Sequence, residues 1–236
     1  VSFSIEKKTE LDAPQIISPV NGQEISATVL SKSGFFLQVK DSPELTKYIF
    51  QISATSNFSK MLLEETSESN QFHLTKKMEL GDNKLTKIEN LNSLTYLEEL
   101  YLHRNQILKL ENLEFLVNLR ILHVYENELS KIENLDNLRN LEELELGVCK
   151  FQKIEGLVNL NKLKILKLWY NKIGRIEGLD SLVNLETLDL SNNRISKIEG
   201  IDNLPEVKFI DLTNNKITNK KSAKKYLNKN IMIELE

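Results

Sequence analysis

One cysteine in 236 residues excludes an internal disulfide framework, although it leaves the redox compartment undecided. Proline is scarce too: there are four, and three precede residue 75, so the remainder is almost free of this breaker of regular structure. No run of 18 apolar residues occurs, so no segment is expected to cross a membrane as a helix. Neither sign of charge dominates. The 31 basic and 34 acidic side chains give a formal net charge of -3 and a pI near 5.8. A nucleic-acid partner would need a basic face, and that class is set aside. A glycine-rich phosphate loop, an activated serine or cysteine, and acids paired in a pocket-like pattern are also missing, so no catalytic residue, metal or cofactor is expected. The chain opens on Val1 without an initiating Met and reads as trimmed, which leaves open whether a targeting segment was removed with the rest.

What is present is a repeat. Asn83, Asn105, Asn127, Cys149, Asn171, Asn193 and Asn215 follow one another at a spacing of 22 residues, with no insertion. Around each lies one frame, which in the second unit reads Leu97, Leu100, Leu102, Asn105, Ile107, Leu110, Leu113 and Leu116. A fixed period of this length with L-x-x-L-x-L-x-x-N/C-x-L is the leucine-rich repeat pattern. Leu100 and Leu102 lie two apart and share one face of a short strand. Two further apolar columns, from Leu85 to Ile217 and from Ile88 to Ile198, turn the chain inward again. Leu113 and Leu116 are expected to return it along the convex side through a short helical turn. No unit can bury its apolar face alone, whereas stacking makes a continuous core.

The asparagine column has a separate cause. Each coil must bend after its strand, which leaves buried backbone groups that a side-chain amide can satisfy. Cys149 falls in this column and reads as a buried small residue rather than a reactive thiol. Lys-Ile-Glu recurs at 87–89, 131–133, 153–155 and 197–199. The Ile points inward and the charges outward, as a solvated face in which each pair contributes little.

The unit I-x-K-I-E-x-L-x-x-L resembles the class typified by the protein phosphatase-1 regulatory subunit, and it is similar to the repeats of bacterial internalins. Internalin repeats usually carry Ser-Pro where this chain has Glu and its neighbour. The resemblance covers about two-thirds of the chain. It implies an α/β fold: a right-handed solenoid of seven units over residues 75–217, with a parallel β-sheet on its concave face. Function does not follow from fold, because such solenoids serve many unrelated binding tasks.

Residues 1–74 hold no repeat. They carry 6 basic and 9 acidic side chains, which accounts for the whole net charge. Residues 1–13 read as a polar lead-in. Strand signals follow at 15–17, 25–30, 35–40, 48–54, 60–65 and 71–74, separated by turn residues such as Asn21-Gly22 and Ser33-Gly34. Pro14 to Gly22, and Tyr48 to Ser53 followed by Ser56 to Ser59, resemble the opening strand and central hairpin of bacterial fibronectin III or Ig-like modules. The expectation for 14–74 is therefore a small all-β module of that kind, or else an irregular β cap on the first repeat. At the other end, 218–236 reads as a C-terminal cap with a short helix over 220–228, a closing strand through Ile231, Ile233 and Leu235, and a basic cluster of solvated lysines.

Alternation along each strand sets the outward positions. Among them stand Tyr101, His103, Arg104, His123, Tyr125, Glu145, Lys167, Trp169, Tyr170, Asp189 and Asp211. Four of the six Tyr or Trp residues after residue 74 fall on this outward set, around a flat spot at Gly147 and Val148. Aromatics beside charge are the composition of a protein-binding hot spot. A ligand-binding concave face is expected, in a monomeric, non-enzymatic binding protein. The internalin resemblance implies a secreted or cell-surface location and a host or cell-surface protein as partner. The phosphatase-subunit resemblance implies the alternative, a cytoplasmic regulatory subunit or scaffold.

Overall fold

The computed structural model describes the backbone of six strands between residues 4 and 65, and residues 77–227 and 231–235 apart from positions 90, 93 and 96. In chain order the strands are β1 Ser4–Lys7, β2 Gln15–Ile16, β3 Ile25–Leu30, β4 Gly34–Val39, β5 Tyr48–Ser53, β6 Met61–Glu65, β7 Lys77–Glu79, β8 Glu99–Tyr101, β9 Ile121–His123, β10 Glu143–Glu145, β11 Ile165–Lys167, β12 Thr187–Asp189, β13 Phe209–Asp211 and β14 Met232–Glu234. From β7 to β14 they form one parallel ladder in strict register, each residue of β8 to β13 pairing with the residue 22 positions on or back.

Each coil strand is only three residues long because its central side chain is the inward one. Leu100, Leu122, Leu144, Leu166, Leu188 and Ile210 are completely buried, as are Leu146 and Leu168 just beyond their strands. The inward columns beneath are also buried, from Ile107 to Ile195 and from Ile88 to Ile198, and Leu85 and Ile217 pack part-buried at the two ends.

After each strand the backbone turns through a left-handed residue. Asp82, Arg104, Glu126, Val148, Tyr170, Asn192 and Asn214 all have φ between 49° and 56°. The following asparagine then ties one coil to the one before. Asn105 donates from Nδ2 to the carbonyls of Leu102 (3.0 Å) and Leu80 (2.9 Å), and its Oδ1 accepts from the Leu85 amide (2.9 Å). Asn127, Asn171, Asn193 and Asn215 repeat this pattern. Cys149 takes the same place with weaker contacts, its Sγ lying 3.8 Å from the Val124 carbonyl and 3.5 Å from that of Gly147.

A second left-handed column bends the chain at Asn112, Asn134, Gly156, Gly178 and Gly200. Here the chain crosses a carbonyl of the preceding coil. Asn112 and Asn134 donate to it through Nδ2, to Ile88 (2.6 Å) and Leu110 (2.7 Å). A Cβ on Gly178 would lie 2.5 Å from the Ile154 oxygen.

The convex side differs from the helical turn expected of it. Leu116 N–H bonds to Leu113 C=O, and Leu119 N–H to Leu116 C=O, both at 3.0 Å, and the same pair of turns recurs in later units. Every third residue is an inward Leu, a spacing that fits consecutive i→i+3 turns. An α-helix would rotate that stripe off the core. Among the described residues helix is confined to the C-terminal cap, as a 3-10 turn over Lys220–Ala223 running into α1, Lys224–Leu227. The α/β label is therefore corrected to a parallel-sheet solenoid with few helices.

The cap is anchored by Tyr226, fully buried, whose hydroxyl reaches Asp202 Oδ2 (3.3 Å). Beyond it β14 pairs in parallel with β13. At the other end the β5–β6 hairpin continues the solenoid's sheet, β6 running antiparallel to β7 and β2 pairing outside β5. β1, β3 and β4 form a separate three-stranded sheet. Ser4–Lys7, read above as lead-in, is thus a strand, parallel to β3. The strand signal at 71–74 and Lys229 of the basic cluster lie outside the described residues.

Candidate functional site

Four outward rows run across the coils. The first two flank the buried strand residue, the third is the next outward position, and the fourth is the left-handed turn residue. Glu99, Ile121, Glu143 and Ile165 belong to the first; Glu79, Tyr101, His123, Glu145, Lys167, Asp189 and Asp211 to the second; Gly81, His103, Tyr125, Gly147, Trp169, Ser191 and Thr213 to the third; Arg104, Glu126, Val148 and Tyr170 to the fourth.

The third row makes a continuous aromatic surface. His103 stacks on Tyr125 with ring centroids 4.8 Å apart and planes at 7°. Tyr125 meets Trp169 at 6.1 Å, and Tyr170 stands edge-on to Trp169 at 5.9 Å. Tyr125 and Trp169 lie two coils apart, a nominal separation of about 9.6 Å. The contact exists because the intervening residue is glycine. A Cβ on Gly147 would fall 2.3 Å from the indole. Gly147 is thus a seat for Trp169, not the flat spot expected from sequence. Gly81 seats His103 in the same way, at 2.4 Å. Next to Gly147, Val148 is the β-branched member of the left-handed column, held at φ 49° and partly exposed.

The second row is a polar network. His123 faces Glu143 (Nε2 to Oε1, 3.1 Å) and Glu145 (Nδ1 to Oε2, 3.7 Å). Lys167 Nζ lies 3.4 Å from Glu143 and 3.3 Å from Glu145. Trp169 Nε1–H donates to Glu145 Oε1 (3.2 Å). Glu145 therefore points outward but is covered by its neighbours, at 9% exposure, rather than standing open as sequence suggested. Burial opposes the Lys167 charge, but Glu145 and Glu143 outweigh it, and the ammonium is held above its ordinary pKa. His123, Glu143 and Glu145 bring three possible ligand atoms within 4.8 Å of one another, the donor set of a divalent-cation site. Lys167 already places a cation between the two carboxylates.

At the N-terminal end Tyr101 donates to Glu99 (2.9 Å) and carries Lys77 Nζ 4.6 Å above its ring. Burial, then the Glu99 hydrogen bond, push its phenol pKa upward; burial does the same for Tyr125. His103 Nδ1 and Glu79 Oε1 face each other at 3.8 Å, both buried and neither hydrogen-bonded. Arg104 pairs with Glu126 (3.2 Å) and Asp82 (3.6 Å). Asp189 and Asp211 each accept from the amide two residues on, Ser191 (3.0 Å) and Thr213 (2.8 Å). The structure thus gathers Tyr101, His103, His123, Tyr125, Glu145, Lys167, Trp169 and Tyr170 into one connected surface. Arg104 stands at its margin, and Asp189 and Asp211 lie on the adjoining strands.

Sequence reading missed the seats at Gly81 and Gly147, and Glu143 as partner of His123 and Lys167. It also missed a charge ladder just before each strand, Glu98, Arg120, Glu142, Lys164, Glu186 and Lys208. That ladder alternates in sign at the 22-residue period, so the signal was present. Arg120 bonds to Glu142 and Lys164 to Glu142, both at 2.8 Å.

The family profile described as Leucine Rich repeats (2 copies) matches residues 161–200 and 183–222. No curated protein matches the chain. Among solved structures, an internalin (InlF) of Listeria monocytogenes is 26% identical with a TM-score of 0.58, over 65% of this chain and 47% of its own. A leucine-rich repeat protein of Leptospira interrogans is 25% identical with a TM-score of 0.59, over 66% of this chain and 41% of its own. Listeria internalin C2, at 23% identity and a TM-score of 0.52 over 69% of this chain and 81% of its own, shares the fold. The chain spans less than half the length of InlF and of the Leptospira protein. Among the described residues no helix is long and apolar enough to cross a membrane. The chain accordingly carries leucine-rich repeats, folded as a parallel-sheet solenoid similar to those of internalins.

Proposed function

We propose that this chain is a non-enzymatic binding protein that recognises a partner protein through its concave face. The observation that carries the reading is the joined aromatic row His103–Tyr125–Trp169–Tyr170, held outward by strand geometry and kept continuous by the Gly147 seat. Large rigid rings rimmed by charge are how protein interfaces concentrate their binding energy. Structural likeness to internalins supports a secreted or cell-surface setting and a host or cell-surface partner. The strand pairing of β2–β6 supports a small β module in 14–74 whose hairpin also covers the solenoid's open edge.

The test is affinity capture with the intact protein and two variants. Trp169→Ala with Tyr125→Ala is expected to weaken partner binding by about 2–4 kcal/mol. Gly147→Ala, which displaces the indole without deleting it, is expected to weaken binding in the same direction. Charge reversals in the Lys-Ile-Glu columns should leave binding unchanged. Normal capture by the double variant, with loss in the charge reversals, would place the interface on another face.

A further inference from the structure

The concave face is not neutral. Among its described positions, through β14, stand nine carboxylates and three basic side chains, Lys77, Arg104 and Lys167. Residues 75–236 carry 25 charges of each sign, so 22 basic and 16 acidic side chains remain elsewhere in that region. The sheet face is acidic, whereas the rest of the solenoid over 77–217 is nearly balanced, at 16 basic to 15 acidic side chains among the described residues, and the basic excess lies in the lysines of the C-terminal cap. On the flank beside it, Lys172, Arg194 and Lys216 stand exposed on successive coils.

The face also shows how it treats cations. Lys77 lies over the Tyr101 ring at 4.6 Å, and Lys167 bridges Glu143 and Glu145 at 3.4 and 3.3 Å. Past Trp169 the arrangement changes. Asp189, Asp211 and Glu234 sit directly opposite one another on β12, β13 and β14. Strands stack about 4.8 Å apart, and like charges directly opposite are unfavourable. Among the described residues, those beside them within these strands and in the next outward row are Thr187, Phe209, Met232, Ser191 and Thr213, none of them basic; Lys167, opposite Asp189 on β11, has its ammonium on Glu143 and Glu145 instead. No ion pair to any of the three acids occurs among the described residues, in contrast to Glu143 and Glu145 on β10, two coils before Asp189.

We propose that the partner presents a basic polypeptide segment, whose Arg or Lys side chains lie along Asp189, Asp211 and Glu234 and against the Trp169–Tyr170 aromatic pair. This rests on the concave-face reading above and names the chemistry of its ligand. The segment's cations supply the neutralisation that Lys167 provides for β10. Aromatic rings at one end of the acidic row offer a cation–π contact. The basic flank repels the same segment and confines it to the sheet.

Trp169 is the only tryptophan, so its fluorescence reports on this site alone. The probe is a 12-residue Arg-Gly repeat peptide, with Glu-Gly and Ser-Gly peptides of equal length and spermine as comparators. The Arg-Gly peptide is expected to change Trp169 emission, saturably and less tightly as salt rises. The triple variant Asp189→Asn, Asp211→Asn, Glu234→Gln, with its melt checked against the parent, should weaken that response by about tenfold. No response to Arg-Gly, an equal response in the triple variant, or an equal response to Glu-Gly or Ser-Gly would overturn the proposal. Binding of spermine as tight as that of the peptide would overturn its polypeptide occupant. Where the peptide fails but Trp169→Ala with Tyr125→Ala still loses a captured partner, the basic-segment inference falls and the concave-face reading stands. Where capture is also unaffected, both fall.

Discussion

Single residues set the turn chemistry of each coil, and two of them depart from what the turn prefers. The first left-handed column takes Asn192 and Asn214 in the last units but Val148 in the fourth. A left-handed L-residue costs about 1–2 kcal/mol, and more when β-branched. Val148 is partly exposed and supports no core packing. Val148→Asn is expected to raise stability by about 1 kcal/mol in chemical denaturation. A neutral or negative result would mean that contacts of the valine side chain offset its backbone strain. Cys149 is the second departure. Burial pushes its thiol up to about 12. The thiolate is the reactive form, so alkylation should be negligible in the folded protein at neutral pH and rapid once unfolded. Fast native labelling would remove Cys149 from the asparagine column.

At the level of elements, three-residue strands are stable only through what joins coil to coil. The asparagine ladder does this inside, and the alternating charges from Glu98 to Lys208 do it outside. Hydrogen bonds from Arg120 and Lys164 hold the Glu142 carboxyl at about 2, below its ordinary 4.5. A folded-state pKa below the unfolded one stabilises above the unfolded value and is lost as pH falls through the folded one. The window is thus roughly pH 4.5 to 2, and solvent exposure keeps the effect to about 0.5–1 kcal/mol. Glu142→Gln should flatten the acid limb of the stability profile in that window and leave its neutral value slightly lower. An unchanged acid limb would show the ladder to be energetically idle.

For the whole molecule, a solenoid behaves as a one-dimensional stack whose ends are its weak points. Tyr226 closes the C-terminal end, fully buried beside Asp202. Tyr226→Ala is expected to cost about 3–5 kcal/mol. Hydrogen exchange should rise first in β13 and β14 and leave β9–β11 protected. Uniform loss of protection would mean that the stack melts as one unit.

The sequence by itself determined the solenoid, its 22-residue register, the inward columns and the outward rows. Each follows from local periodicity repeated seven times, and no long-range information is needed to place Leu144 inside or Trp169 outside. It also placed the closing strand through Ile231 and Ile233, because alternation is a local signal. The convex turns were misread because Leu at every third position suits an i→i+3 turn and the first rotation of a helix almost equally. What lies between coils was decided only by tertiary structure. Glu145 became covered because Lys167 and Trp169, 22 and 24 residues away, fold over it. Gly147 became a seat because an indole from the next coil leans across it toward Tyr125. A residue's outward direction is a property of its own strand, whereas its neighbours are supplied by coils a full period away, and only the stacked fold brings them together.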